Sequence, residues 1–161
     1  MVALSGCVSA AGPLCKATTV ALAAVRDDFS AAAGCLVRRG DRLLVVRDRK
    51  TGRLGFPAGG PIAGETPPCT AHRETWEETG IDVQVEELLH VVENGFHLYQ
   101  CTLTETSVAS SGQQPVPQHA LSEISSVAWL RLNQITPDDW RIPGQLPLVS
   151  RLFAQSKETT R

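Results

Sequence analysis

The order of apolar and polar positions along the chain predicts several β-strands with helices between and after them. Two apolar runs, 31–39 and 42–47, flank Gly40 and Asp41, a pair typical of hairpin turns, so both runs are predicted strands. Further predicted strands are 81–85, with an extension towards Val92, 96–103 and 127–132. The polar segment 104–118 is predicted to be a long loop. The pattern is typical of a mixed α/β sandwich.

The main predicted helix covers residues 65–80. Its ends carry typical residues, namely Thr66 at the cap, Pro67 at the first helical position and Gly80 at the carboxyl end. A helix start is also predicted at 136–139, and a closing helix at 147–153.

Composition favours one globular domain. The chain has 161 residues, of which 42% are apolar and 20% charged. Residues 1–29 are rich in small and hydroxyl side chains and are predicted to be a poorly ordered extension, 30–155 to be the domain, and 156–161 to be a tail. The net charge of −2 argues against duplex nucleic acid as a partner, and no apolar run is long enough to predict a transmembrane segment.

Charge is distributed unevenly within this near-neutral total. The segment from Arg38 to Arg53 holds seven basic and two acidic residues, whereas that from Glu65 to Glu105 holds nine acidic residues and one basic residue. The acidic segment is either a solvated face or a cation site beside a basic strip. The second interpretation suits a metal-dependent enzyme that acts on phosphates.

Within the predicted helix, Glu74, Glu77 and Glu78 stand three and four residues apart. Their side chains therefore fall within a wedge of roughly 100° on one helix face. Like charges at this spacing destabilise a helix by a few tenths of a kcal/mol per pair. A divalent cation converts the repulsion into coordination, because carboxylates are ligands for Mg²⁺.

The spacing around these glutamates follows a longer pattern. Five residues separate Gly59 from Glu65, seven more precede Arg73-Glu74, and Glu77-Glu78 is followed by Thr79, Gly80 and Ile81. This pattern resembles the Nudix box, and the chain is accordingly similar to the Nudix hydrolase family. One position departs: Thr75 stands where an aliphatic residue is usual, which concerns packing more than chemistry.

The resemblance implies an α/β/α sandwich with a central mixed β-sheet. It also implies hydrolysis of the pyrophosphate bond in a small-molecule nucleotide, either a nucleoside diphosphate linked to another group or a nucleoside triphosphate, with Mg²⁺ or Mn²⁺. The matching metal ligands are Glu74, Glu77, Glu78 and the Gly59 carbonyl, with Glu77 and Glu78 also catalytic, and Glu65 and Arg73 supporting the site. A homodimer stays open. The alternative is a nucleotide-sensing module of the same fold without hydrolysis.

Two residues outside the box are candidates by a finer resemblance to the family's enzymes for oxidised purine nucleotides. Glu123 lies six residues before Trp129, and those enzymes also have a loop glutamate before a strand tryptophan, so either Glu123 or a box glutamate is the expected general base. Gln145 is the matching amide, with a donor and an acceptor for a purine edge. The alternatives are a surface position for Glu123 and a helix cap for Gln145.

The five cysteines leave the compartment open. No positively charged and apolar leader precedes the domain, so the default expectation is cytoplasmic, with free thiols. Leu4 to Cys7 resembles the lipobox of bacterial lipoproteins, which fits only if the true start lies upstream. In that case the protein belongs to the cell envelope, where cysteines can pair.

Overall fold

The computed structural model describes residues 12–23, 30–104 and 113–157. The helices are α1 (Thr19–Ala23), α2 (Pro67–Thr79) and α3 (Leu146–Gln155), and short 3₁₀ turns lie at Gln118–Ala120, Leu132–Gln134 and Pro143–Gln145. The strands are β1 (Ala33–Arg39), β2 (Arg42–Asp48), β3 (Leu54–Gly55), β4 (Ala58–Gly59), β5 (Val83–Val91), β6 (His97–Leu103), β7 (Gln113–Gln114) and β8 (Ile124–Arg131).

The strands form one mixed sheet. Its order is β5-β6-β1-β2-β8-β7, with β3 paired to β2 and β4 paired to β1. Strands β1 and β6 are parallel, whereas the other pairs are antiparallel. The β1–β2 hairpin follows from Gly40, whose φ of 58° suits the tight turn after Arg39.

The alternation of β1 divides the core between the two faces of the sheet. Cys35 and Val37 belong to a buried cluster that includes Ala71 of α2. Leu36 belongs to a second cluster that includes Leu152 of α3. Helices therefore cover both faces of the sheet, and the predicted α/β/α sandwich is confirmed.

Helix α2 begins and ends as the sequence predicts. Gly80 follows its last residue with a φ of 71°, and its N–H donates to the Trp76 carbonyl at 2.7 Å. Thr66 occupies the cap position, but its hydroxyl makes no capping bond. Thr75 is fully buried, and its hydroxyl donates to the Ala71 carbonyl at 2.7 Å, which explains how a polar residue is tolerated at an aliphatic position.

The expectation of a poorly ordered extension is wrong for residues 12–23. The Thr18 N–H donates to the Val85 carbonyl at 2.9 Å, and the Val85 N–H donates to the Lys16 carbonyl at 2.8 Å, so this segment pairs with β5. Ala21 of α1 is fully buried, and a disulfide joins Cys15 to Cys69. Backbone pairing, burial and a covalent link outweigh the weak local propensity. Residues 1–11 and 24–29, including Cys7, lie outside the described residues.

A second disulfide joins Cys35 of β1 to Cys101 of β6 in the core beneath α2. The two strands are neighbours, and Cys101 pairs in register with Val37, two residues from Cys35 on the same face. All four cysteines within the described residues are therefore paired.

Two details of the predicted pattern need correction. Residues 136–139 form a turn that does not continue as a helix. Thr136 and Asp139 exchange the hydrogen bonds of a helix start, but the Leu54 N–H donates to the Asp139 carbonyl and Trp140 bridges to Leu54. The loop after β6 contains the short strand β7, while residues 105–112 lie outside the described residues. Among the described residues, no helix has the length and apolar character needed to cross a membrane.

Candidate active site

The three box glutamates lie on α2 where it passes β4. Glu78 is nearly buried, with 8% of its surface exposed, whereas the side chain of Glu77 is 41% exposed. The strand β4 is held by pairing of Gly59 with Ala33 of β1. Helix packing against β1 thus brings Glu74 and Glu78 against this strand.

Arg73 connects the helix to the loop before it. Its Nη1 donates to Glu74 at 2.8 Å and to Glu77 at 2.9 Å. Its Nε donates to Glu65 at 2.9 Å, and its Nη2 donates to the Gly60 carbonyl at 2.7 Å. Burial opposes the charge of Arg73, but the carboxylates of Glu65 and Glu74 outweigh it and raise the pKa of this guanidinium. The planar guanidinium presents several N–H donors in fixed directions, so it can bind three carboxylates and a carbonyl at once, whereas a lysine ammonium is a single point charge.

Glu65 anchors the loop rather than facing the cluster. Its carboxylate accepts from the Thr70 hydroxyl at 2.9 Å and from the Ile62 N–H at 3.2 Å, in addition to Arg73. Burial acts to raise the pKa of Glu65, but these hydrogen bonds hold it below its ordinary value. The structure thus brings Glu65 and Arg73 into direct contact.

Glu78 is the most strongly perturbed carboxyl of the site. Burial raises its pKa to about 8, and the negative charges of Glu74 and Glu123 add to the effect. The Ala58 N–H donates to its carboxylate at 2.9 Å, and the positive charge of Arg141 also opposes the shift. A carboxyl in this environment holds its charge only with help from a nearby cation.

Glu74 lies directly against Gly59. A Cβ built on Gly59 would overlap the Glu74 carboxyl group, so only glycine fits this position. Burial raises the pKa of Glu74; Arg73 opposes this, while Glu77 and Glu123 add negative charge nearby. The Gly59 backbone therefore borders the carboxylate that is expected to share its ligand role.

Glu123 lies on an exposed turn at the start of β8. Its negative charge contributes to the raised pKa values of both Glu74 and Glu78. Its backbone is held between the Ala120 carbonyl, which accepts the Glu123 N–H at 3.0 Å, and the Arg49 N–H, which donates to the Glu123 carbonyl at 2.7 Å.

A cleft of about 170 Å³ opens beside this cluster, between the sheet and α3. Its walls are mainly apolar and aromatic, including Phe56, Phe96 and Trp140, and Gln145 also lines it. Phe56 and Trp140 pack edge to face with ring centres 5.1 Å apart. Ala58 lines the same cleft and its N–H donates to Glu78, so this one residue connects the cleft to the glutamates, which do not line the cleft themselves.

Sequence reasoning missed Arg141. Arg141 lines the cleft, and its Nη2 donates to Asp48 at 2.9 Å. Its positive charge opposes the rise in the pKa of Glu78 that burial causes. Its position follows from pairing of the chain at Trp140 and Arg141 with Leu54, which no local pattern predicts. The basic strip observed in the sequence covers 38–53 and does not include it.

The donor atoms present are of the type that a hard divalent cation prefers, because they are carboxylate oxygens. The Glu74 carboxylate lies so close to the Gly59 backbone that a side chain at residue 59 would displace it. Within residues 12–23, 30–104 and 113–157, however, no three His, Cys, Asp or Glu side chains are arranged as a finished metal site. Arg73 bridges Glu74 and Glu77 instead. Cation binding therefore requires these side chains to shift.

Comparison with known proteins finds a matching family model and several similar proteins. Residues 28–152 match the model of the NUDIX domain family. A MutT-like protein of Streptomyces ambofaciens is 35% identical over 112 residues, which cover 66% of this chain and 63% of that protein, so the chain spans less than two thirds of this relative.

Two solved structures share the fold. A NUDIX hydrolase of Nitrosomonas europaea has a TM-score of 0.59 at 20% identity and covers 81% of this chain and 92% of its own. An ADP-ribose pyrophosphatase of Streptococcus suis has a TM-score of 0.59 at 18% identity and covers 82% of this chain and 96% of its own.

Proposed function

The chain belongs to the NUDIX domain family, and from this premise we propose that it hydrolyses the pyrophosphate bond of a nucleoside diphosphate linked to another group, or of a nucleoside triphosphate. One observation carries the proposal: the buried Glu78, the Glu74 carboxylate and Gly59 meet beside an apolar cleft lined by Arg141. Acidic ligands, a phosphate-binding cation and a cleft for a ring system are the parts that such a reaction requires.

We propose that Glu74, Glu77, Glu78 and the Gly59 carbonyl hold Mg²⁺, which Mn²⁺ can replace. The bound cation would screen phosphate charge and lower the pKa of a water molecule. The raised pKa of Glu78 supports this assignment. A buried carboxyl without a nearby positive charge favours its neutral form, and a bound cation would supply the charge that keeps it ionised. Arg73 and Glu65 would keep the loop at Gly60 in place while Glu74 and Glu77 rotate towards the cation.

We propose Glu123 as the general base, with Glu77 and Glu78 as the catalytic alternatives. Support comes from its exposure and from the effect of its charge on Glu74 and Glu78. A base must reach the attacking water within about 3 Å or through one further water. An exposed carboxylate at the edge of the cluster can accept that proton, whereas Glu78 is already bound to the Ala58 N–H.

We propose that the cleft receives the nucleobase and that Gln145 hydrogen-bonds its edge. The aromatic walls at Phe96 and Trp140 suit a flat heterocycle, and a side-chain amide offers both a donor and an acceptor. Arg141 lines this cleft and its charge acts on Glu78, so we propose that it binds a phosphate group of the nucleotide.

The test is release of phosphate or nucleoside monophosphate from a nucleotide panel, with and without Mg²⁺. Glu77→Gln is expected to lower the rate by at least about 10²-fold, the scale of lost acid–base or electrostatic help. Glu87→Gln is the matched control, because its side chain is also 41% exposed and pairs with Lys157 rather than the cluster. Nucleotide binding without release would instead favour the sensing module.

We propose that the chain acquires its disulfides in an oxidising compartment, which favours the cell envelope over the cytoplasmic default. Support comes from the pairing of all four described cysteines, since cytosolic proteins rarely keep disulfides. Alkylation of free thiols in freshly lysed cells tests this: accessible thiols at Cys15 and Cys69 would contradict it. The homodimer stays a prediction that sedimentation of the purified protein measures.

A further inference from the structure

We propose that Trp76 is a positioning residue, which stacks on His119 and thereby holds the turn that carries Glu123 against α2. This inference rests on the proposed function, because it assigns Glu123 the role of base. Trp76 lies two residues after Glu74, about 200° around the helix axis, on the flank of α2 away from the three glutamates. Any effect on the reaction must therefore pass through another residue.

The contact between the two rings is geometrically well formed. The ring centres of Trp76 and His119 are 5.6 Å apart, and their planes are inclined by 23°, a stacked arrangement. His119 is exposed, whereas Trp76 is half-buried. The stack therefore holds the backbone around His119 against α2.

The backbone beyond His119 carries this restraint to Glu123. His119 belongs to the 3₁₀ turn Gln118–Ala120, and the next residue, Ala120, is buried in the core. The Glu123 N–H donates to the Ala120 carbonyl at 3.0 Å. His119 thus lies in the first of two successive hydrogen-bonded turns that share Ala120, and Glu123 ends the second. We therefore expect displacement of His119 to displace Glu123.

Trp76 is itself held from a second direction. A Cβ built on Gly12 would lie 3.2 Å from both Cε3 and Cζ3 of the indole, so the Gly12 backbone packs on this ring. The Cys15–Cys69 disulfide fastens the segment that contains Gly12 to the start of α2. The indole therefore has a fixed surface on which His119 can stack.

The decisive measurement is kcat and KM for the substrate found in the panel. Trp76→Ala and His119→Ala are each expected to lower kcat by about 10–100-fold, because small displacements of a reacting group cost about that much. KM is expected to change by less than about threefold, since neither ring lines the cleft. Trp76→Phe keeps an aromatic ring and is expected to restore most of kcat.

Leu121→Ala is the matched control, because it removes a 45% exposed apolar side chain from the same turn without touching the stack. It is expected to leave kcat unchanged. A loss of kcat in Leu121→Ala equal to that in His119→Ala would show general sensitivity of the turn and overturn the proposal. Equal loss in Trp76→Phe and Trp76→Ala would overturn it as well.

A double-mutant cycle with Glu123→Gln separates positioning from a merely structural role. If Trp76 acts through Glu123, the double variant is expected to be no slower than Glu123→Gln alone. Additive losses would overturn the proposal. If the wild-type protein releases no product from any nucleotide, the proposed function fails instead.

In that event amide hydrogen exchange still decides the structural part. The Glu123 N–H is expected to exchange at least about tenfold faster in Trp76→Ala than in the wild type, with Leu121→Ala as control. An unchanged exchange rate of the Glu123 N–H would refute the proposal that the Trp76–His119 stack holds this turn, and this test does not depend on enzymatic activity.

Discussion

The burial of Glu78 makes a specific prediction about stability and pH in the absence of divalent cations. Its pKa is raised to about 8 in the folded chain from an ordinary value of 4.5, with burial as the largest cause. A raised carboxyl pKa means that folding favours the protonated form. The free energy of unfolding therefore contains the full contribution of protonated Glu78 below about pH 4.5, and it loses this contribution as the pH rises towards 8.

The size of the effect follows from the same shift. One unit of pKa difference corresponds to 1.36 kcal/mol, so the loss between pH 5 and pH 8 is on the order of 3–5 kcal/mol for this nearly buried group. Glu78→Gln retains an oxygen that can accept from the Ala58 N–H, but it carries no charge. The variant is expected to match the wild type near pH 5 and to exceed it by a few kcal/mol at pH 8.

Urea denaturation in EDTA at several pH values measures this difference. Glu93→Gln is the control, because Glu93 is exposed in the turn between β5 and β6 and its charge remains hydrated. A difference between Glu78→Gln and wild type that stays constant from pH 5 to pH 8, or that falls, would refute the reasoning. Added Mg²⁺ is expected to stabilise the wild type at pH 8 and to have much less effect on the variant.

Three further changes test the supports of the site. Gly59→Ala places a methyl group on the Glu74 carboxyl, so we expect at least about tenfold weaker Mg²⁺ activation in a metal titration of the rate. Cys15→Ser with Cys69→Ser removes the disulfide that spans 54 residues; thermal denaturation without reductant is expected to show a free energy of unfolding lower by about 2–4 kcal/mol, and no loss would contradict this role. Arg73→Lys loses the planar fork that contacts three carboxylates and a carbonyl; urea denaturation is expected to show a loss of about 1–3 kcal/mol, and an unchanged midpoint would contradict this role.

The sequence by itself determined the elements whose residues act locally. Gly80 ends α2 because its φ of 71° is easy only for glycine, and Gly40 closes the β1–β2 hairpin for the same reason. The α2 glutamates share a face because of helix periodicity alone. The fixed spacing from Gly59 to Ile81 identified the family, since it combines a turn, a helix and a set of charges in one pattern.

The tertiary structure alone decided which distant segments meet. Residues 12–23 contain few residues that favour a strand or a long helix, and they are held by β5 and by Cys69, which are 54 or more residues away. The segment 136–139 resembles a helix start and makes the Thr136–Asp139 hydrogen bonds of one, but pairing of Trp140 with Leu54 turns the chain towards β3.

The same distinction applies to the candidate site. Arg141 acts on Glu78 because pairing at β3 brings it there, and the stack of Trp76 on His119 depends on how the turn before β8 packs against α2. Such contacts join residues far apart in sequence, and their energy is realised only when sheet and helices have packed. Local patterns therefore predict the ligands on one helix, whereas the charges and rings that surround them depend on the assembled fold.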